Sequence, residues 1–215
     1  MKKIFLIPIL FLFLSGIAWS LPFNAGDPVN INLIESVGSG FGSSGGLFKI
    51  KDLNTNITIN TFCLELDEFI GSYVADVSDD LATKGGRNTD GNDKLSDATK
   101  WLYWRYTEGY SYDVKALQLA IWLLEEEYHD ISDWKTWYKN NGGSEILANL
   151  ALQYVSDAQG QSTTADIRVL DISYNKDGTN PAQSYLIRVP EPGGLILLGI
   201  GLTAVGLGAR RFRKV

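Results

Sequence analysis

Apolar and polar positions alternate near both ends of the chain and take helical spacing in its middle. "VNINLIES" (29–36), "LFKIKDL" (47–53) and "NITINTFCLEL" (56–66) alternate over most of their length, the pattern of strands whose successive side chains point to opposite faces. In the third stretch Ile57, Ile59, Thr61 and Cys63 share one face, so Cys63 is expected to point into a core. After the polar loop "TKGGRNTDGND", helical spacing appears over 95–106, 114–128 and 145–157, with Ser111, Asp113 and Ser144 as caps. "DIRVLDISYN" and "AQSYLIRV", joined by "KDGTNP", read as a closing antiparallel hairpin. Strands, then helices, then strands predict an α+β fold: a single domain whose antiparallel sheet comes from both ends of the chain, with a central three-helix segment.

Two apolar segments flank this domain. Lys2 and Lys3 precede an apolar run over 4–14, and Ala18 and Ser20 are the small residues of a signal-peptide cleavage site, which assigns 1–20 to a signal peptide. Residues 193–209 are uncharged and mostly Leu, Ile, Gly and Val, with Arg210, Arg211, Arg213 and Lys214 directly behind them. That predicts a short transmembrane helix with a cytoplasmic basic end. The expected organisation is an exported domain over 21–189 and a C-terminal tail over 190–215, with the secretion machinery and the inner membrane as the first partners.

Charge narrows the remaining partners. The chain has 19 Lys and Arg against 25 Asp and Glu; six of the bases and one acid lie outside 21–189, leaving 13 against 24 in the exported part. A surface near net −11 is attracted neither to nucleic acid nor to anionic lipid.

Residues with obvious chemistry are sparse. The glycine-rich "GSGFGSSGG" is not followed by the Lys-Ser/Thr pair of a phosphate cradle and reads as a hairpin loop. His129 is the only histidine and sits at a predicted helix end, where it complements the helix dipole. Glu125, Glu126 and Glu127 point three ways round a helix and read as a solvated acidic face. Asn88, Asp90, Asn92 and Asp93 alternate as calcium ligands do, but the loop lacks the glycine and glutamate that such a site needs. Trp134 and Trp137 form a candidate exposed pair for glycan. No cofactor or metal is assigned, and the chain is expected not to be an enzyme.

The one cysteine, Cys63, has no partner within the chain for a disulfide, although export takes it to an oxidising compartment. In "ALQLAIWLLEEEY", Gln118 stands among apolar residues, one helical step round from a stripe of Val114, Leu117, Ile121, Leu124 and Tyr128. A primary amide buried there without partners costs a few kcal/mol.

Two resemblances join these observations. "VPEPGGLILLGIGLTAVGLGARRFRKV" resembles the PEP-CTERM sorting tail of Gram-negative surface proteins: the Val189-Pro190-Glu191-Pro192 motif, a Gly-rich apolar span and a basic end. It implies recognition and removal of the tail by an exosortase, in bacteria that make extracellular polysaccharide, and a cell-surface or extracellular destination. "FCL" at 62–64 and "LQLAIW" at 117–122 resemble the two signature motifs of bacterial thioester domains, and "WLYWRY" at 101–106 is similar to a segment of PEP-CTERM members of that group. This implies condensation of Cys63 with Gln118 into an internal thioester that attaches covalently to an amine or hydroxyl on a target, with Thr61 or Tyr103 expected to polarise the carbonyl. The alternative is a non-reactive structural or carbohydrate-binding protein of a biofilm matrix, bound to extracellular polysaccharide, in which Cys63 is inert core.

Overall fold

The alternating stretches form the strands they predict. β1 (Asp27–Ser36) pairs antiparallel with β2 (Gly46–Asp52), and β2 with β3 (Thr58–Phe62), so that Ile50 faces Ile31 on one side and Ile59 on the other. Asp52 makes the tight β2–β3 turn: its carboxylate accepts the Asn54 and Thr55 amides and the Thr55 hydroxyl. The computed structural model describes residues 21–37, 45–66, 74–78, 81–82, 93–127, 131–175, 177, 181–190 and 199. The signal segment 1–20, the membrane segment apart from Gly199, and Asn88, Asp90, Asn92, His129, Glu191 and Pro192 lie outside the described residues.

Among the described residues, five further strands and four helices complete the order of the domain. β4 (Val74–Ser78) pairs with the first residues of β1, β5 (Leu81–Ala82) with β6 (Asp93–Lys94), and β7 (Ile167–Ser173) with both β4 and β8 (Pro181–Arg188). The main sheet is antiparallel with strand order β3-β2-β1-β4-β7-β8, and together with the helices it makes an α+β fold. Pro22–Val189 form one compact unit. Its two edge strands, β3 and β8, meet again beyond Phe62, where Cys63 bridges Tyr185 and the Leu64 amide donates to Ser184 O at 2.9 Å. A hydroxyl bond from Thr61 to Leu186 O adds to this seam.

Helix α1 (Asp97–Thr107) starts at Ser96, whose hydroxyl accepts from the Thr99 amide, and α2 (Val114–Leu124) starts at Asp113, whose carboxylate accepts from the Lys115 and Ala116 amides. Helices α3 (Ile131–Asn140) and α4 (Glu145–Ala158, capped by Ser144) follow. Three of the four answer to the predicted spans. The fourth, α3, is not among them: Trp134 and Tyr138, four residues apart on one helix face, are buried with their rings stacked 5.4 Å apart. Trp137 alone is exposed, so the expected exposed tryptophan pair does not form.

The middle of α2 departs from the expected amphipathic stripe. Every residue from Ala116 to Leu123 is buried, because the helix lies between β1 and β2 on one side and α1 and α4 on the other. A helix that is apolar all round belongs in such a position. It ends at Leu124, short of the predicted 128: Glu126 takes a left-handed φ of 58°, and the Glu127 amide reaches back to Trp122 O. That turn sends the acidic triplet inward in part. Glu125 and Glu127 are buried, with Glu127 accepting from the Leu66 amide at 2.9 Å and Glu125 from the Ser96 amide at 3.3 Å, so the triplet is not the solvated face expected.

The core is therefore centred on α2. Replacing the fully buried Leu117 by Ala should lower unfolding free energy by about 2–5 kcal/mol in denaturant melts, whereas the same change at the exposed Ile146 should stay within about 0.5 kcal/mol.

Candidate functional site

Cys63 occupies the seam because alternation along β3 turns it inward, and Gln118 reaches it because α2 is packed into the same interior. The cysteine is 2% exposed and the glutamine fully buried. Their contact is two-sided. The Cys63 amide donates to Gln118 Oε1 at 3.1 Å, Gln118 Nε2 donates to Cys63 O at 2.8 Å, and Sγ lies 3.5 Å from Oε1. The carboxamide is thus held against the cysteine backbone with its oxygen beside the sulfur. Two residues 55 positions apart in sequence meet here through side-chain atoms.

The donor on the Gln118 carbonyl is not one of the two hydroxyls expected from the sequence. Thr61 gives its hydroxyl proton to Leu186 O, and Tyr103 gives its own to Asn60 O at 3.2 Å. Thr61 is committed to holding the seam, and Tyr103 ties α1 to β3. The carbonyl partner is the amide of Cys63 itself, which any residue at 63 except proline would supply, so residue type carried no signal for it.

Electrostatics set the state of the sulfur. Burial pushes the Cys63 thiol well above its usual range, the Glu65 and Glu127 carboxyls push the same way, and the Gly46 and Cys63 amides facing the sulfur offset part of this. The thiol is therefore protonated, and an unaided thiolate is not available. Gly46 reaches this position with a φ of 152°, and a Cβ there would stand 1.9 Å from Glu35 O, so β2 approaches the sulfur at a residue where only glycine fits.

Glu65 was missed by sequence reasoning. It is 1% exposed; Oε2 accepts from the Ser184 amide at 2.8 Å and from Gln183 Nε2 at 3.0 Å, and Oε1 has no partner. Burial first, then the nearby Glu127 and Asp171 carboxyls, raise its pKa to about 8 against the bonds from Ser184. Tyr185, across the seam from Cys63, likewise keeps a buried hydroxyl without a partner. Alternation does not single it out: residues 61–66 are all buried and the chain bends at Leu64.

Among the described residues no group of three or more His, Cys, Asp or Glu is placed to hold a metal, and no helix is long and apolar enough to cross a membrane. Residues 188–214 match the PEP-CTERM protein-sorting motif. The motif implies an exported protein, anchored in the membrane until an exosortase processes its tail. No curated protein and no solved structure matches the chain. The matched segment starts at Arg188, the last residue of β8, and Val189 is tied to the domain by its amide, which donates to Asp166 O at 2.8 Å. Arg188 also pairs with Glu108 behind α1.

The raised Glu65 pKa has a consequence for stability. Between the usual carboxyl value of 4.5 and about 8, the folded protein holds a proton that the unfolded chain has released. This contribution is fully present below pH 4.5 and is lost as pH rises to about 8. Thermal or denaturant melts should therefore show stability declining across that window by on the order of a few kcal/mol, and Glu65→Gln should flatten the decline.

Proposed function

We propose that this exported protein carries an internal thioester between Cys63 and Gln118 and uses it, at the surface of a Gram-negative cell, to attach covalently to an amine or hydroxyl of a neighbouring molecule. The observation that carries the reading is the clamp: sulfur 3.5 Å from the Gln118 carbonyl oxygen, that oxygen bound by the Cys63 amide, both residues shut off from solvent. A hydrogen-bond donor on a carbonyl oxygen stabilises the negative charge that builds there when sulfur attacks the carbon. In the condensation the Sγ–Cδ bond forms, the Cδ–Nε2 bond breaks, the thiol proton goes to nitrogen and ammonia leaves. Attachment reverses the roles. The target's nitrogen or oxygen bonds to Cδ, sulfur leaves, and the target's proton moves to it. Burial slows attack by water on the bond, so a nucleophile reaches it through local opening of the seam.

A second reading is favoured by one feature of the same clamp. Both ends of the Gln118 amide are already hydrogen-bonded to the Cys63 backbone, so the amide is stable as it stands. Under that reading Gln118 is a structural tie and the protein is a non-reactive component of the extracellular matrix.

Intact mass separates the two. The full chain, expressed in a bacterium and purified in detergent, should weigh one ammonia less than expected from its processed sequence. Methylamine should add at Gln118 and free one thiol, while Cys63→Ala and Gln118→Ala each remove the deficit. Full sequence mass with no amine adduct would establish the structural tie instead.

A further inference from the structure

Bond formation at this site faces a proton problem. The Cys63 thiol is held in its protonated form by burial and by acidic neighbours, yet its proton has to leave sulfur and reach the departing Gln118 nitrogen. With both residues shut off from solvent, a neighbouring side chain is the direct carrier.

The seam holds one ionisable group suited to this. Glu65 lies two residues beyond Cys63, past a bend at Leu64, and is buried with it in the seam. Its Oε2 is fixed by the Ser184 amide and by Gln183 Nε2, which sets the carboxyl plane, while Oε1 is buried and bonded to nothing. The other charged groups facing it are committed elsewhere: Asp171 on β7 accepts from the Ser184 hydroxyl at 2.7 Å, and Glu127 behind α2 accepts from the Leu66 amide. Tyr185 on β8 and Cys63 complete the surroundings, and both interact electrostatically with Glu65. Glu65 therefore combines a fixed carboxyl, a buried oxygen without a partner and an electrostatic interaction with the sulfur.

We propose that Glu65 is the proton carrier for formation of the Cys63–Gln118 bond: its carboxylate takes the thiol proton as sulfur attacks Cδ, and returns it to Nε2 as the Cδ–Nε2 bond breaks. The step needs no oxidant and leaves Glu65 as it began, with ammonia as the product. It rests on the thioester reading above. A carboxyl that titrates near 8 exchanges protons readily in the neutral range, where an ordinary glutamate is fully ionised and a weak base.

The test follows ammonia loss in time. The full chain, purified unfolded in urea, is refolded into detergent at several values from about pH 6 to about pH 9, and intact mass is read at intervals. Wild type should form the bond at a rate that rises with pH and levels off above about 8. Glu65→Gln, which keeps the acceptor for Ser184, should slow formation roughly a hundredfold and lose the inflection; Glu65→Asp should keep the inflection at an intermediate rate. Circular dichroism reports whether each variant folds. If Glu65→Gln does not fold, Glu65→Asp against wild type decides, and an Asp variant without the inflection overturns the proposal. A folded Gln variant that forms the bond with the wild-type rate and pH profile also overturns it and leaves the thioester standing. A wild type that forms no bond at any pH removes both.

Discussion

The pairing of residues 63–65 with 183–185 is the constraint on which the remainder of this domain depends. Six strands ordered β3-β2-β1-β4-β7-β8 would leave two edges open, each a row of unpaired amides and carbonyls. Here the chain beyond β3 turns onto β8, with the Cys63–Tyr185 bridge, the Leu64 amide on Ser184 O and the Thr61 hydroxyl on Leu186 O joining the edges. Because the two halves of the sheet come from opposite ends of the domain, that join also fixes the relation between its first and last strands. The helix α2 fills the space inside, and its one polar side chain in the buried stretch, Gln118, is satisfied only by the seam.

This arrangement concentrates polar groups where most domains have none. Gln118, Glu65, Gln183 and Ser184 are all buried, and hydrogen bonds join each of them to residues 63–65 or to one another. An apolar set of the same shape would close the sheet at lower cost, since each buried polar group must recover its lost hydration through hydrogen bonds. Retaining two acceptors or donors without partners, Glu65 Oε1 and the Tyr185 hydroxyl, is a further cost with no structural return. Buried polar groups left open next to a nucleophilic atom are the arrangement expected of a site, with the rest of the fold supplying the stability that they give up.

Much of the fold was legible because period two and period 3.6 are strong in this chain. Strands β1, β2, β3, β7 and β8 follow from alternation, and α1, α2 and α4 from spacing and caps. β4 was not recognised although it lies in the middle of the sheet: "VADVS" is five residues long with one aspartate, too short for alternation to stand out from loop. Helix α3 was hidden by composition, since its inward positions are Trp134 and Tyr138 rather than aliphatic residues, and aromatics read equally well as surface. In the site, Cys63 and Gln118 were legible as a lone thiol on an inward strand face and a lone amide in an apolar helix. Glu65 was not, because burial of an acid depends on the β8 amides that receive it, and those lie 118 and 119 residues away. The acidic triplet failed for a local reason: a left-handed residue at Glu126 is not signalled by glutamate.

The account turns on whether sulfur and carboxamide are in contact or joined. A crystal structure of the full chain, grown without amines, answers this at the two atoms concerned. The account predicts continuous electron density between Cys63 Sγ and Gln118 Cδ at covalent length, no density for Nε2, and the carbonyl oxygen still bound by the Cys63 amide. Density for an intact carboxamide, with sulfur at van der Waals distance and Nε2 still on Cys63 O, would contradict it.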